Sequence, residues 1–157
     1  MKKFFFTLLI VCLSALIAIS QENTFAIRLK KFNVEKKIGI QGYDPVAYFT
    51  QNVAVKGKAD FSFEFSGIKY LFSSKQNLDL FKSIPEKYEP QYGGWCAYAM
   101  GNDGSKVEVD PETFKILDGK LYLFYNFYFN NTLKKWNADE NVLKKNADNN
   151  WQLILSK

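Results

Sequence analysis

Residues 60–72 read DFSFEFSGIKYLF. Phe61, Phe63 and Phe65 alternate with Ser62, Glu64 and Ser66, and a period of two over seven residues marks a half-buried strand. Gly67 interrupts the run and Ile68 to Phe72 resumes it, so the stretch reads as a β-hairpin. The device recurs in FKILDGKLYL, Phe114 to Leu123, where Asp118-Gly119 between β-prone runs calls for the left-handed backbone of a type I′ turn. After the first hairpin, Ser73 or Ser74 caps a helix running through about Ser83, with Leu78 and Phe81 on its buried face. Pro85 starts a further turn that ends near Tyr88. Val46 to Phe49 reads as a short helix or strand. Asn102 to Lys106 reads as a turn, with a strand from Lys106 to Val109. Beyond Asn126, the spacing of Leu133, Trp136, Val142, Leu143, Ala147 and Trp151 is close to helical, giving two short helices or one bent near Asn137. The expected fold is α+β: a small antiparallel sheet of hairpins, a short central helix, and C-terminal helices packed on one side.

The N-terminus is expected to stand apart from this fold. Lys2 and Lys3 precede an apolar run from Phe4 to Ile19 that only Thr7 and Ser14 interrupt, and Ala18-Ile19-Ser20 supplies small residues for cleavage between Ser20 and Gln21. Residues 1–20 therefore read as a Sec-type signal peptide. The competing reading, an uncleaved anchor, asks for a longer run. Leu9-Ile10-Val11 ahead of Cys12 do not fit a lipoprotein. Cleavage leaves no stable membrane span and a secreted or periplasmic chain: a basic lead-in over 21–37, then one domain over 38–157. That is long enough to bury a core without disulfides. The formal net charge is +5; the first 20 residues carry two lysines and no acid, so the mature chain is only mildly basic. No nucleic-acid partner is implied.

The composition removes whole classes of chemistry. There is no histidine, which excludes a Ser-His-Asp triad, a Cys-His pair and imidazole zinc sites. With Cys12 in the signal segment, Cys96 is the single thiol of the mature chain and has no intrachain disulfide partner. No catalysis is expected.

Several motifs in order resemble the YHS domain, in its secreted, single-domain bacterial type. They are GYDPVAYF (42–49), YLFSS (70–74), Asn77-Leu78 with Phe81, PEKY (85–88), PQYGGWCAYAM (90–100), Asp110-Pro111 and ILDGKLYL (116–123), and the resemblance spans Gly39 to Trp151. It implies a small metal-binding module whose relatives carry cysteines in DPVCG and YFCSxxC segments. Thiolates of that kind suit Cu(I) or Zn(II). The matching positions here are Ala47, Ser73 and Asn77, so that thiolate set is missing.

Cys96 has three readings. With Met100 it could form a soft pair for a copper ion, the two lying four apart on one face if the segment is helical, or sharing a face with Tyr98 if it is a strand. It could be a reactive thiol, with Gly93-Gly94 opening a helix whose amides lower its pKa. Or it is core, as free cysteines commonly are. The candidate residues are thus Cys96 and Met100 for a metal, and Tyr43, Asp44, Tyr92, Trp95 and Tyr98 for a ligand pocket; for Asp44 the alternative is capping a turn before Pro45. FYNFYF, Phe124 to Phe129, is too aromatic for a solvent face and is expected in the core or at an interface. The expected function is a binding module for a metal ion, copper first, or a small ligand. The alternatives are a structural or protein-interaction domain with a buried Cys96, and a thiol-dependent redox protein.

Overall fold

A computed structural model describes residues 24–157; the expected signal segment lies outside the described residues. The described chain opens in a helix, α1, through residue 31. A hairpin of β1 (Val34–Glu35) and β2 (Ile38–Gly39) follows, then a 3-10 turn at Ile40–Gly42, α2 (Ala47–Thr50), β3 (Lys58–Phe65), β4 (Ile68–Phe72), α3 (Lys75–Ser83) and α4 (Pro85–Tyr88). A second 3-10 segment, Gln91–Gly94, leads to α5 (Ala97–Asn102), β5 (Asp110–Leu117), β6 (Lys120–Phe124), β7 (Asn126–Phe127), β8 (Asn130–Asn131), α6 (Thr132–Ala138) and α7 (Glu140–Ser156).

The α+β class holds, with the strands shared among three small sheets: β1-β2-β4-β3, β5-β6 and β7-β8. All pairings are antiparallel except β2 with β4, which run parallel. Both expected hairpins form. Ser66 and Gly67, and likewise Asp118 and Gly119, take positive φ, as a two-residue turn between twisted strands requires. Ser74 caps α3 by accepting from the Asn77 amide.

Within the basic lead-in, residues 24–31 form the packed helix α1: Arg28 pairs with Glu89 and donates to the Ser66 carbonyl at 3.2 Å, while Lys31 donates to the last carbonyls of α7. One expectation is corrected. Residues 106–109 are irregular rather than a strand, and the Val107 carbonyl accepts from the Cys96 amide at 2.9 Å.

The core has two compartments, and β6 is the wall between them. Alternate side chains of a strand point to opposite faces. Leu121 and Leu123 pack with Ile40, Val46, Ile68, Phe72 and Phe81, whereas Tyr122 and Phe124 pack with Met100, Trp136 and Ala147. The first compartment is organised around Phe81, whose ring lies 5.0–6.4 Å from those of Phe63, Phe65, Tyr70, Phe72 and Tyr88. The second is closed by α5 lying directly on α7: a Cβ on Gly101 would fall 2.4 Å from the Leu143 carbonyl oxygen.

Removing the ring at the centre of the first compartment leaves a cavity bordered by five other rings. Phe81→Ala is expected to lower the unfolding free energy by about 3–5 kcal/mol, and Gly101→Ala by about 1–3 kcal/mol through overpacking of α5 on α7. Urea denaturation of the two variants measures both; unchanged midpoints would contradict this packing.

Candidate functional site

Asp44 is fully buried, and five donors converge on its carboxylate. Pro45 disfavours helical backbone at Asp44 and so holds it ahead of α2, where an aspartate can cap the helix. Oδ1 accepts from the amides of Val46 (2.8 Å) and Ala47 (3.3 Å). Oδ2 accepts from the Ser73 amide (2.8 Å), the Ser73 hydroxyl (2.6 Å) and the Asn77 side-chain amide (2.7 Å). Ser73 directly follows β4 and Asn77 lies on α3, so one carboxylate ties three elements together. The ion pairs among the described residues do not include Asp44; its charge is held by hydrogen bonds alone, a form of solvation strong enough to keep an anion inside a protein.

Ala47, Ser73 and Asn77, the positions of the relatives' cysteines, all donate to this carboxylate. The structure brings the three positions together, but with nothing soft among them. They do not fit a thiolate-held Cu(I) or Zn(II) ion. Among the described residues, no group of three or more Cys, Asp or Glu side chains could hold a metal.

Cys96 and Met100 are not brought together. Cys96 precedes the first residue of α5 with ψ 118°, so helical periodicity does not govern its side chain. It packs into the first compartment, and Met100 into the second beside Trp136 and Phe124. The Cys96 sulfur lies 3.4 Å from the Thr132 hydroxyl and 3.4 Å from the Tyr125 amide. Thr132 gives its single proton to the Tyr125 carbonyl at 2.8 Å. The thiol must then donate to Thr132 Oγ1 while its sulfur accepts from the Tyr125 amide, an arrangement that uses the protonated form.

Above Cys96 lies a cavity of about 200 Å³ lined by Cys96, Tyr98, Ala99, Val107, Tyr125, Asn130 and Thr132. It is smaller than the roughly 300–1,000 Å³ of ordinary small-molecule sites.

The other candidates serve different places. The Tyr43 hydroxyl donates to Glu112 at 3.0 Å, and the Lys56 ammonium sits 3.8 Å from the Tyr43 ring centre. Trp95 donates its indole N–H to the Lys31 carbonyl at 2.7 Å, which locks α1 onto the motif. Tyr92 is buried and donates to Asp148 on α7 at 2.9 Å. Only Tyr98 joins Cys96 at the cavity. The candidate residues thus divide among the Asp44 cluster, the small cavity and the seams with α1 and α7. The role of Ser73 and Asn77 as partners of Asp44 escaped the sequence reading. The available signal was their spacing of four on one helix entry, opposite an aspartate already held by a proline.

With this geometry in place, the comparisons are specific. Residues 46–92 match the family model described as YHS domain. The match supports a YHS domain over that stretch of the chain. The match takes in Ala47, Ser73 and Asn77 and excludes Asp44, Cys96 and Met100, so it is narrower than the run of motifs from Gly39 to Trp151. No curated protein and no solved structure matches. No helix among the described residues is long and apolar enough to cross a membrane.

Two measurements test this account. Asp44→Asn puts an amide among donors and is expected to cost about 2–4 kcal/mol. In a double-mutant cycle, Asn77→Ala should cost much less in that background than in the native one, because the two effects share one hydrogen bond; simple additivity would contradict a shared interaction.

The second is a pH titration. Burial raises the phenol pKa values of Tyr48, Tyr70 and Tyr92, helped at Tyr70 and Tyr92 by the neighbouring Glu89 and Asp148 carboxylates, and pushes Tyr122 up to about 12. An unfolded tyrosine ionises near 10. The stability these neutral phenols supply is therefore complete below pH 10 and is lost as the pH rises through the folded-state values, from 10 to about 12 for Tyr122. Phenolate absorbance from these four rings should appear together with loss of far-ultraviolet circular dichroism. Ionisation near pH 10 with the fold intact would contradict their burial.

Proposed function

We propose that the chain is a non-catalytic YHS-domain binding module, exported to the periplasm or the cell exterior, that recognises a protein surface and holds no soft metal ion. The observation carrying this reading is the turn between β7 and β8. Tyr128 and Phe129 form it with φ 52° and 62°, and their relative exposures are 92% and 110%. The left-handed region costs a residue with a Cβ on the order of 1–2 kcal/mol, and a two-residue turn of this kind ordinarily takes Asn-Gly. Two large rings held there in solvent are unfavourable in the backbone and in hydration alike. An interface that covers them offsets both costs, as the expectation for FYNFYF requires.

Copper binding, the first expectation from the resemblance, has less support. The three family positions are spent on Asp44, Cys96 is buried as a hydrogen-bonded thiol, and Met100 packs in the other core compartment. The same burial disfavours a thiol-dependent redox protein. Export rests on the N-terminal basic and apolar pattern.

The test is a Cu(I) titration of the mature protein under reducing conditions, with Cys96→Ser alongside. Neither protein should bind stoichiometric metal, and a thiol reagent should label Cys96 slowly in the native state and quickly in denaturant. One equivalent of copper, lost in Cys96→Ser, would overturn the reading.

A further inference from the structure

Helix α1 and the end of α7 frame a groove of about 560 Å³. Ile27, Ile154 and Leu155 give it an apolar lining, and Lys30, Lys31 and Lys106 bring three ammonium groups to it. Hydrogen bonds hold the frame. Lys31 Nζ donates to the carbonyls of Ile154 at 2.5 Å and Leu155 at 3.0 Å, which ties α1 to the last turn of α7. The Lys31 carbonyl accepts the Trp95 indole N–H, and the Lys106 ammonium lies 5.7 Å from the Trp95 ring centre.

The charge here is of one sign. No Asp or Glu lines the groove, and the ion pairs among the described residues include none of the three lysines. Lys31 is engaged by the carbonyl end of a helix, whereas Lys30 and Lys106 are exposed and have no acid partner among the described residues. Partial burial, and then the Lys31 and Lys30 ammoniums, hold Lys106 below its ordinary pKa. The apolar lining is also wet: Ile27 is 42% and Leu155 40% exposed. A small anion among the ammoniums would leave both side chains in water. An anionic bilayer meets both needs, because it presents phosphates to the lysines and an acyl boundary to the apolar side chains. Lysine suits that level, since its stem lies along apolar surface while its head reaches the phosphates.

The chain itself leads to the same partner. The apolar run Phe4 to Ile19 ends shortly before Thr24, where α1 begins. Five residue steps reach at most about 18 Å. While such a run is in a bilayer, the start of α1, one helical turn from Ile27, stays within that distance of the lipid. This step rests on the reading of residues 1–20 as an export signal; the chemistry of the groove stands without it.

We infer that the α1–α7 end of the molecule docks on an anionic lipid bilayer, with Ile27 and Leu155 against the acyl boundary and Lys30 and Lys106 on lipid phosphates. The contact shares no residue with the β7–β8 turn, so it adds a second surface to the protein-recognition reading.

The experiment is co-sedimentation of the mature protein, which lacks the apolar run, with vesicles of phosphatidylcholine alone and of equal parts phosphatidylcholine and phosphatidylglycerol. Three ammoniums near an anionic surface are expected to favour the mixed vesicles by about 100-fold. Lys30→Glu/Lys106→Glu, at exposed positions, should weaken that binding by about thirtyfold or more, and Ile27→Asn/Leu155→Asn by about tenfold. Tyr128→Asn/Phe129→Gly should bind as the wild type does. No binding to mixed vesicles at about 1 mM lipid would overturn the inference in favour of an acidic protein partner. Binding lost in the turn variant but kept in Lys30→Glu/Lys106→Glu would overturn it by moving the lipid contact to the turn. The export reading fails on a separate measurement, retention of the full chain in the cytoplasm on cell fractionation.

Discussion

The fold depends most on the buried carboxylate of Asp44. An unpaired charge at that depth would destabilise the protein by several kcal/mol, so the structure is committed to presenting donors to it. The five donors come from the first turn of α2, the end of β4 and the first turn of α3. Holding them fixes the angle at which β4 passes into α3. Ser74, adjacent to the knot, then caps α3, and the helix face it sets delivers Phe81 to the centre of the first compartment. A displacement of any of the three elements would strand the charge and swing the central ring out of its packing.

The same knot gives physical meaning to the family positions. Thiolates at 47, 73 and 77 would join α2, β4 and α3 through a metal ion. In this chain the backbone at Ala47, the hydroxyl and amide of Ser73 and the amide of Asn77 join the same elements through a carboxylate. The cross-link is kept and its chemistry is exchanged, from soft coordination to charge-assisted hydrogen bonds.

What the sequence made legible was local. The Phe61-Phe63-Phe65 alternation, the Asp118-Gly119 turn, the Ser74 cap and the α+β class all follow from spacings of a few residues, and all appear in the structure. The features that escaped depend on distant partners. Helix α1 looks like a mixed basic segment, because what holds it is Glu89, Ser66 and the far end of α7. Lys106 to Val109 has strand-like residues but no strand beside it, and the Val107 carbonyl goes to Cys96 instead. The Cys96–Met100 pairing asked for one helix or one strand through both residues. Cys96 stands outside the helix by one residue, with its side chain in the first compartment and that of Met100 in the second.

The β7–β8 turn differs from every other hairpin in the described chain. Ser66-Gly67 and Asp118-Gly119 place glycine where the backbone is least tolerant of a side chain, and Lys36-Lys37, without glycine, is held by a sheet bond from the Lys69 amide to the Lys37 carbonyl. Tyr128-Phe129 has neither the glycine nor a sheet beyond its own two strands. Local propensity and hydration both oppose it, and when a sequence is locally inconsistent at one site while consistent elsewhere, the inconsistency points to function. Strain alone would allow any use. Strain at a site whose rings are fully exposed narrows the use to contact, because only a covering surface recovers the hydration cost of the rings.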